Sequence, residues 1–152
     1  MKKKFSSTKR IENRRAKFDY QLGDSYIVGL QLSGRETKSL RMGHGHIKGA
    51  YVTIKDNELW LINATITGVA GINISENEQT RSRKLLLKRK EINQLMRAKQ
   101  QGMSIIPLEL IISGRYIKLK IATGRGKKLY DKRQIMKARD EKRKIGQALK
   151  SQ

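Results

Sequence analysis

Three stretches of this chain carry all of its net positive charge, and they leave the rest of it electrically neutral. Residues 1–17 hold eight basic side chains and one acidic, residues 81–99 hold the same, and residues 125–152 hold eleven and three. Together they account for the whole formal charge of +22, and the other 88 residues carry eight charges of each sign. That partition predicts a neutral folded platform with three basic appendages, which is the electrostatic footprint of a protein that grips a polyanion. RNA is the partner this pattern suggests first.

At 152 residues the chain is expected to form one domain with a core that needs no covalent staple. It contains no cysteine, so disulfides, thiolate metal sites and cysteine nucleophiles are excluded. The start MKKKFSSTKR has the positive charge of a signal peptide but lacks the apolar run that must follow. The longest uncharged run, Leu59 to Ser75, contains Asn63 and Asn73 and alternates like a strand, so no membrane span is expected. These features predict a soluble, cytoplasmic protein.

The neutral body reads mainly as strand. Tyr26–Leu32 has strand character with Gly29 at its middle, a place for a bend. Residues 35–43 read as a short helix closed by Gly43. Residues 50–55 and 58–67 alternate in hydrophobicity around Asp56-Asn57, which suits a hairpin turn. Residues 68–82 read as a long loop. Residues 88–101 have helical spacing, led into by Leu85, Leu86 and Leu87 and closed by Gly102. Two further strands follow, Ser104–Ile112 and Arg115–Thr123, with Pro107 favouring an edge or a bulge. The expected fold is mainly β with short helices, an OB-like small antiparallel barrel, closed or partly open, over residues 18–123. Residues 1–17 would be a mobile basic arm. Residues 124–152 have helix-forming composition without an apolar face, so a tail disordered alone and helical when bound is predicted.

Candidate chemistry is sparse. Gly124-Arg125-Gly126-Lys127-Lys128 has the look of a phosphate-cradling loop, yet it is no Walker A loop, because Leu129 replaces Ser/Thr after the lysines. Contact with RNA backbone and a plain flexible hinge both fit it. His44 and His46 lack a third histidine or any cysteine to complete a metal site. The acids are scattered without a catalytic spacing, so neither an enzyme nor a cofactor is expected. Tyr130 lies among Lys127, Lys128, Lys132 and Arg133; it can stack a base or pack the tail against the body. Glu36, beside Arg35, Lys38 and Arg41, reads first as a partner in a local ion pair.

Five blocks occur in order: NRRAKFDY (13–20), SGRETKSLR (33–41), ELWLIN (58–63), RKLLLKRKEI (83–92) and GRGKKLYDKR (124–133). They resemble the SsrA-binding protein (small protein B, SmpB) family of bacterial trans-translation over about residues 13–140. The resemblance implies an OB-type RNA adaptor that binds the tRNA-like domain of transfer-messenger RNA and delivers it to stalled ribosomes. The tail would enter the empty mRNA channel of the small subunit. By motif match, Asn13, Arg14, Arg15, Glu36, Lys38, Arg83, Lys84 and Leu85 would contact the tRNA-like domain. Gly126, Lys127, Lys128, Tyr130, Asp131, Lys132 and Arg133 would face the decoding region and mRNA path. Phe18 stands where the family often has His, and the loop before Arg83 lacks its usual His-Asp-Pro element. The free protein would be a monomer. The rivals are a ribosomal or ribosome-assembly protein that holds rRNA, and an RNA-modifying enzyme that uses the barrel as a platform.

Overall fold

In a computed structural model that describes residues 9–151, seven strands make one continuous antiparallel sheet. The elements are β1 (Lys9–Glu12), α1 (Ala16–Asp19), β2 (Tyr20–Leu30), α2 (Gly34–Arg41), β3 (Gly45–His46), β4 (Tyr51–Lys55) and β5 (Glu58–Ile62). They continue as β6 (Thr65–Ile66), α3 (Glu76–Gln79), β7 (Arg83–Leu86), α4 (Arg89–Gln100), β8 (Ser104–Ser113), β9 (Tyr116–Gly126) and α5 (Leu129–Lys150). The sheet runs in the order β1-β8-β9-β2-β7-β5-β4, and β3 pairs with β6 separately. It curls until β4 lies against β8, but no hydrogen-bonded ladder joins those two strands. The result is an OB-like barrel left open along one seam.

Local chemistry explains the elements. Asp56 and Asn57 both take left-handed backbone (φ 53° and 60°), the geometry of the tight two-residue turn that matches strand twist in the β4–β5 hairpin. Ser33 caps α2 by accepting from the Glu36 N–H at 3.3 Å. The Glu91 carboxylate accepts from the Lys88 N–H at 3.2 Å where α4 begins. Gly43 and Gly102, with φ of 84° and 85°, follow the ends of α2 and α4 in the conformation that best suits glycine. Inward positions of the strands, among them Val28, Leu59, Leu61, Leu110, Leu119 and Ile121, meet Leu40 of α2 and Leu95 of α4 in one core.

Several expectations need correction. β2 begins at Tyr20, six residues early, and its irregularity falls between Leu22 and Ser25 rather than at Gly29. Pro107, by contrast, sits at a bulge as expected, where the β8–β9 register skips Leu108. Leu85 and Leu86 do not lead into a helix. They belong to β7, held between β2 and β5, so the second basic stretch enters the sheet instead of hanging from it. The N-terminal segment is tied down from Lys9 onward: β1 pairs with β8, and Ala16 of α1 is buried. Residues 1–8 of the expected arm lie outside the described residues. The tail is one 22-residue helix, α5, in which no side chain is buried. Among the described residues no helix is long and apolar enough to cross a membrane.

Candidate nucleic-acid interface

The residues singled out from sequence fall into two groups, one on the barrel and one at the root of α5. On the barrel, Glu36 points into the protein from the first turn of α2, with its side chain 3% exposed. Its carboxylate lies between two guanidiniums. Arg81 Nε meets Oε1 at 2.5 Å and Arg81 Nη2 meets Oε2 at 3.0 Å, while Arg83 Nε donates to Oε2 at 3.2 Å. Arg83 is wholly buried and spends its other donors on main-chain oxygens: Ala64 (2.8 Å), Arg81 (3.1 Å), Glu78 (3.2 Å) and Gln79 (3.0 Å). Burial pushes the Arg83 guanidinium down from its ordinary value, and the Glu36 carboxylate opposes that through charge and hydrogen bond. A cation is tolerated there because every direction it can donate is answered.

This geometry corrects the reading of three residues as surface contacts. Glu36, Arg83 and Leu85 are all inside, the last at 2% exposure. Glu36 does form an ion pair, but with arginines 45 and 47 positions away rather than with its helix neighbours. Arg81 was not singled out. Its signal was the two-residue spacing from Arg83, which on extended chain turns both side chains the same way.

The remaining barrel residues do reach the surface. Lys38, Arg14 and Arg15 are exposed. Lys84 is half-buried and paired with Glu58 at 2.9 Å. Asn13 is half-buried and donates from its amide to the Pro107 carbonyl at 3.1 Å, so it braces the bulge as well as facing out. No hydrogen bond or ion pair among the described residues joins the Asn13–Arg15 corner to Lys38 or Lys84.

At the tail root, β9 ends on Gly126 and α5 begins three residues on, at Leu129. The Lys127 N–H donates to the Asp19 carbonyl and its ammonium to the Lys17 carbonyl, both at 2.8 Å. Lys132 reaches the Asp19 carboxylate at 3.2 Å. Lys132 and Arg139 also lie over the Phe18 ring, 5.9 and 5.7 Å from its centre. Phe18 therefore serves as a face for the helix to rest on. Lys127 and Lys132 hold α5 to the body, whereas Lys128, Tyr130, Asp131 and Arg133 stay exposed. Tyr130 is 69% exposed, which removes the reading in which it packs the tail onto the barrel. Asp131 sits in the first turn of α5, where the helix dipole favours a negative charge.

A family model described as "SmpB protein" matches residues 10–151. The chain is 41% identical over 143 residues to an SsrA-binding protein of Synechococcus sp. (strain JA-3-3Ab), covering 92% of each. It is 46% identical over 140 residues to the SsrA-binding protein of Oenococcus oeni (strain ATCC BAA-331 / PSU-1), covering 91% of this chain and 90% of the relative. Among solved structures it is similar to a chain from "tmRNA-SmpB: a journey to the center of the bacterial ribosome". That match has a TM-score of 0.64 and 35% identity, and covers 79% of this chain and 85% of that one.

Proposed function

The chain belongs to the SmpB protein family, and from that premise we propose that it is a non-enzymatic RNA adaptor of trans-translation. The barrel binds the tRNA-like domain of transfer-messenger RNA, and the protein carries it to ribosomes that have stalled without a stop codon. There α5 lies along the empty mRNA path of the small subunit. The protein works in the cytoplasm, is a monomer when free and uses no cofactor.

The observation that carries this reading is the division of cations between body and tail. Of the cations on α5, Lys132 is tied to Asp19, Arg143 to Asp140, and Arg139 to the Phe18 ring. The side chains of Arg133, Lys137, Lys142, Lys144 and Lys150 have no ion-pair or hydrogen-bond partner among the described residues. A row of unanswered cations on a helix with no core of its own is stabilised by phosphate, through release of condensed counterions. On the barrel, Arg14, Arg15, Lys38 and Lys84 make the surface for the tRNA-like domain, with Glu36 and Arg83 setting its shape from inside. In the tail, Tyr130 offers a stacking face and Lys128 and Arg133 flank it for phosphate.

The test is binding to the tRNA-like domain at physiological salt against excess unrelated tRNA. Retained binding supports the adaptor reading, and full competition overturns it in favour of a ribosomal protein with general affinity for RNA. Ending the chain after Lys128 should leave this binding nearly intact and abolish rescue in a translation assay. Loss of RNA affinity on truncation would sink the assignment of separate tasks to barrel and helix.

A further inference from the structure

The barrel fails to close, and the gap is furnished. Between β4 and β8 lies a cleft of about 510 Å³, within the size range of small-ligand sites. Its wall is apolar where the two strands face each other, with Ala50, Val52, Ile105 and Ile106 buried. Tyr51, the neighbour of Val52, keeps 53% of its surface exposed and lines the same cleft. Arg15, Lys48 and Lys99 line it from the N-cap of α1, the loop before β4 and the last turn of α4. The side chains of Lys48 and Lys99 are exposed and make no hydrogen bond or ion pair among the described residues. The carboxylate at the cleft is that of Asp19, and it is already answered by Arg15 at 3.8 Å and Lys132 at 3.2 Å.

Resting on the reading of the body as RNA-binding, we infer that this seam is a pocket for one unstacked nucleotide of the bound RNA. The chemistry selects that occupant. A slot between two strands admits a single base and excludes a duplex, and its apolar wall suits the flat face of a base. Tyr51 adds an aromatic surface, and cations from three separate elements meet the phosphates on either side. β8 is also unpaired on this edge at Ser104–Ile106, because the ladder with β1 stops at Glu12 and Glu109. Main-chain groups there have no ladder partner on that edge. An acidic peptide would use the cations but leave the apolar wall and the ring unfilled.

The experiment measures binding of full-length variants to the tRNA-like domain, with melting curves to confirm the fold. Tyr51→Ala should weaken binding about tenfold, in line with the loss of one stacked base, and Tyr51→Phe should restore it. Lys48→Ala with Lys99→Ala should weaken it by at least as much and lower the salt slope by about 1.4–1.8, two phosphate contacts. Lys55→Ala with Lys118→Ala is the matched loss of charge away from the cleft and should have a smaller effect. Ultraviolet crosslinking of the wild-type complex should join Tyr51 to a nucleotide in an unpaired loop. Unchanged affinity on losing Tyr51, or equal losses from the two lysine pairs, would overturn the inference while leaving the adaptor reading in place. If wild type does not bind the tRNA-like domain, the adaptor reading fails. The same variants against a single-stranded RNA octamer then decide the cleft by itself.

Discussion

Arg83 and Arg133 are the same residue type put to opposite use. Arg83 is sealed in the barrel with a carboxylate and four main-chain oxygens around it, while Arg133 stands on an exposed helix with no partner among the described residues. A buried arginine must be answered completely or it costs several kcal/mol, so its surroundings are specified in detail. An exposed arginine costs almost nothing to leave open, and that openness keeps it available to phosphate. The contrast separates charge that organises a fold from charge held ready for a ligand, inside a single very basic chain.

The contrast can be broken most sharply at Glu36. Glu36→Ala leaves Arg83 buried without its counter-charge and should cost about 3–5 kcal/mol, read as a fall in the urea midpoint. A change below 1 kcal/mol would mean that Arg83 does not depend on the carboxylate. Next comes the strand that leads from body to tail. A Cβ added at Gly124 would lie 2.8 Å from Ile106 Cδ1 and 3.1 Å from the Gln21 carbonyl oxygen. Gly124→Val should therefore cost about 1–3 kcal/mol by overpacking. Removing all of α5 should cost less, about 1 kcal/mol or under, since the helix brings no buried side chain to the core. The isolated segment 129–151 should show weak helical circular dichroism in dilute buffer and gain helix when polyphosphate is added. Strong helix without polyanion would show that propensity alone outweighs the repulsion among its cations. Smallest of all, Lys132→Ala should cost about 0.5–1 kcal/mol from the Asp19 contact and the Phe18 ring. No loss there would place the docking of α5 on Lys127 and Arg139 alone.

The parts of the fold legible from sequence were those specified by neighbours along the chain. The Asp56-Asn57 turn, the helix closed by Gly43, the helix closed by Gly102 and the β8–β9 pair each carry their signal within a dozen residues. What escaped depends on partners far away. β1 has few apolar residues and becomes a strand because β8 offers it a free edge a hundred residues on. Arg83 reads as surface charge until Glu36 is found 47 positions earlier, and with it β7 changes from a helical lead-in to a strand in the sheet. The site divides in the same way. Lys38, Arg14, Arg15 and Tyr130 are exposed as a binding reading requires, whereas Glu36, Arg83 and Leu85 are recognisable from motif yet sit beneath the surface they support. Arg81 was missed because its one mark, the two-residue spacing from Arg83, is easily lost in a run of basic residues.

The join between β9 and α5 also has a mechanical meaning. β9 is flanked by β8 on one side and β2 on the other, and it passes into the helix after only Lys127 and Lys128. A pull on the C-terminal end would load both ladders of β9 lengthwise, so that many hydrogen bonds share the strain at once. The helix has only its own turns to resist with, and they open one after another. Its 22 residues lengthen by about 40 Å in going from helical to extended rise. Under tension the molecule would behave as a stiff anchor with an extensible leader, paying out chain before the anchor yields.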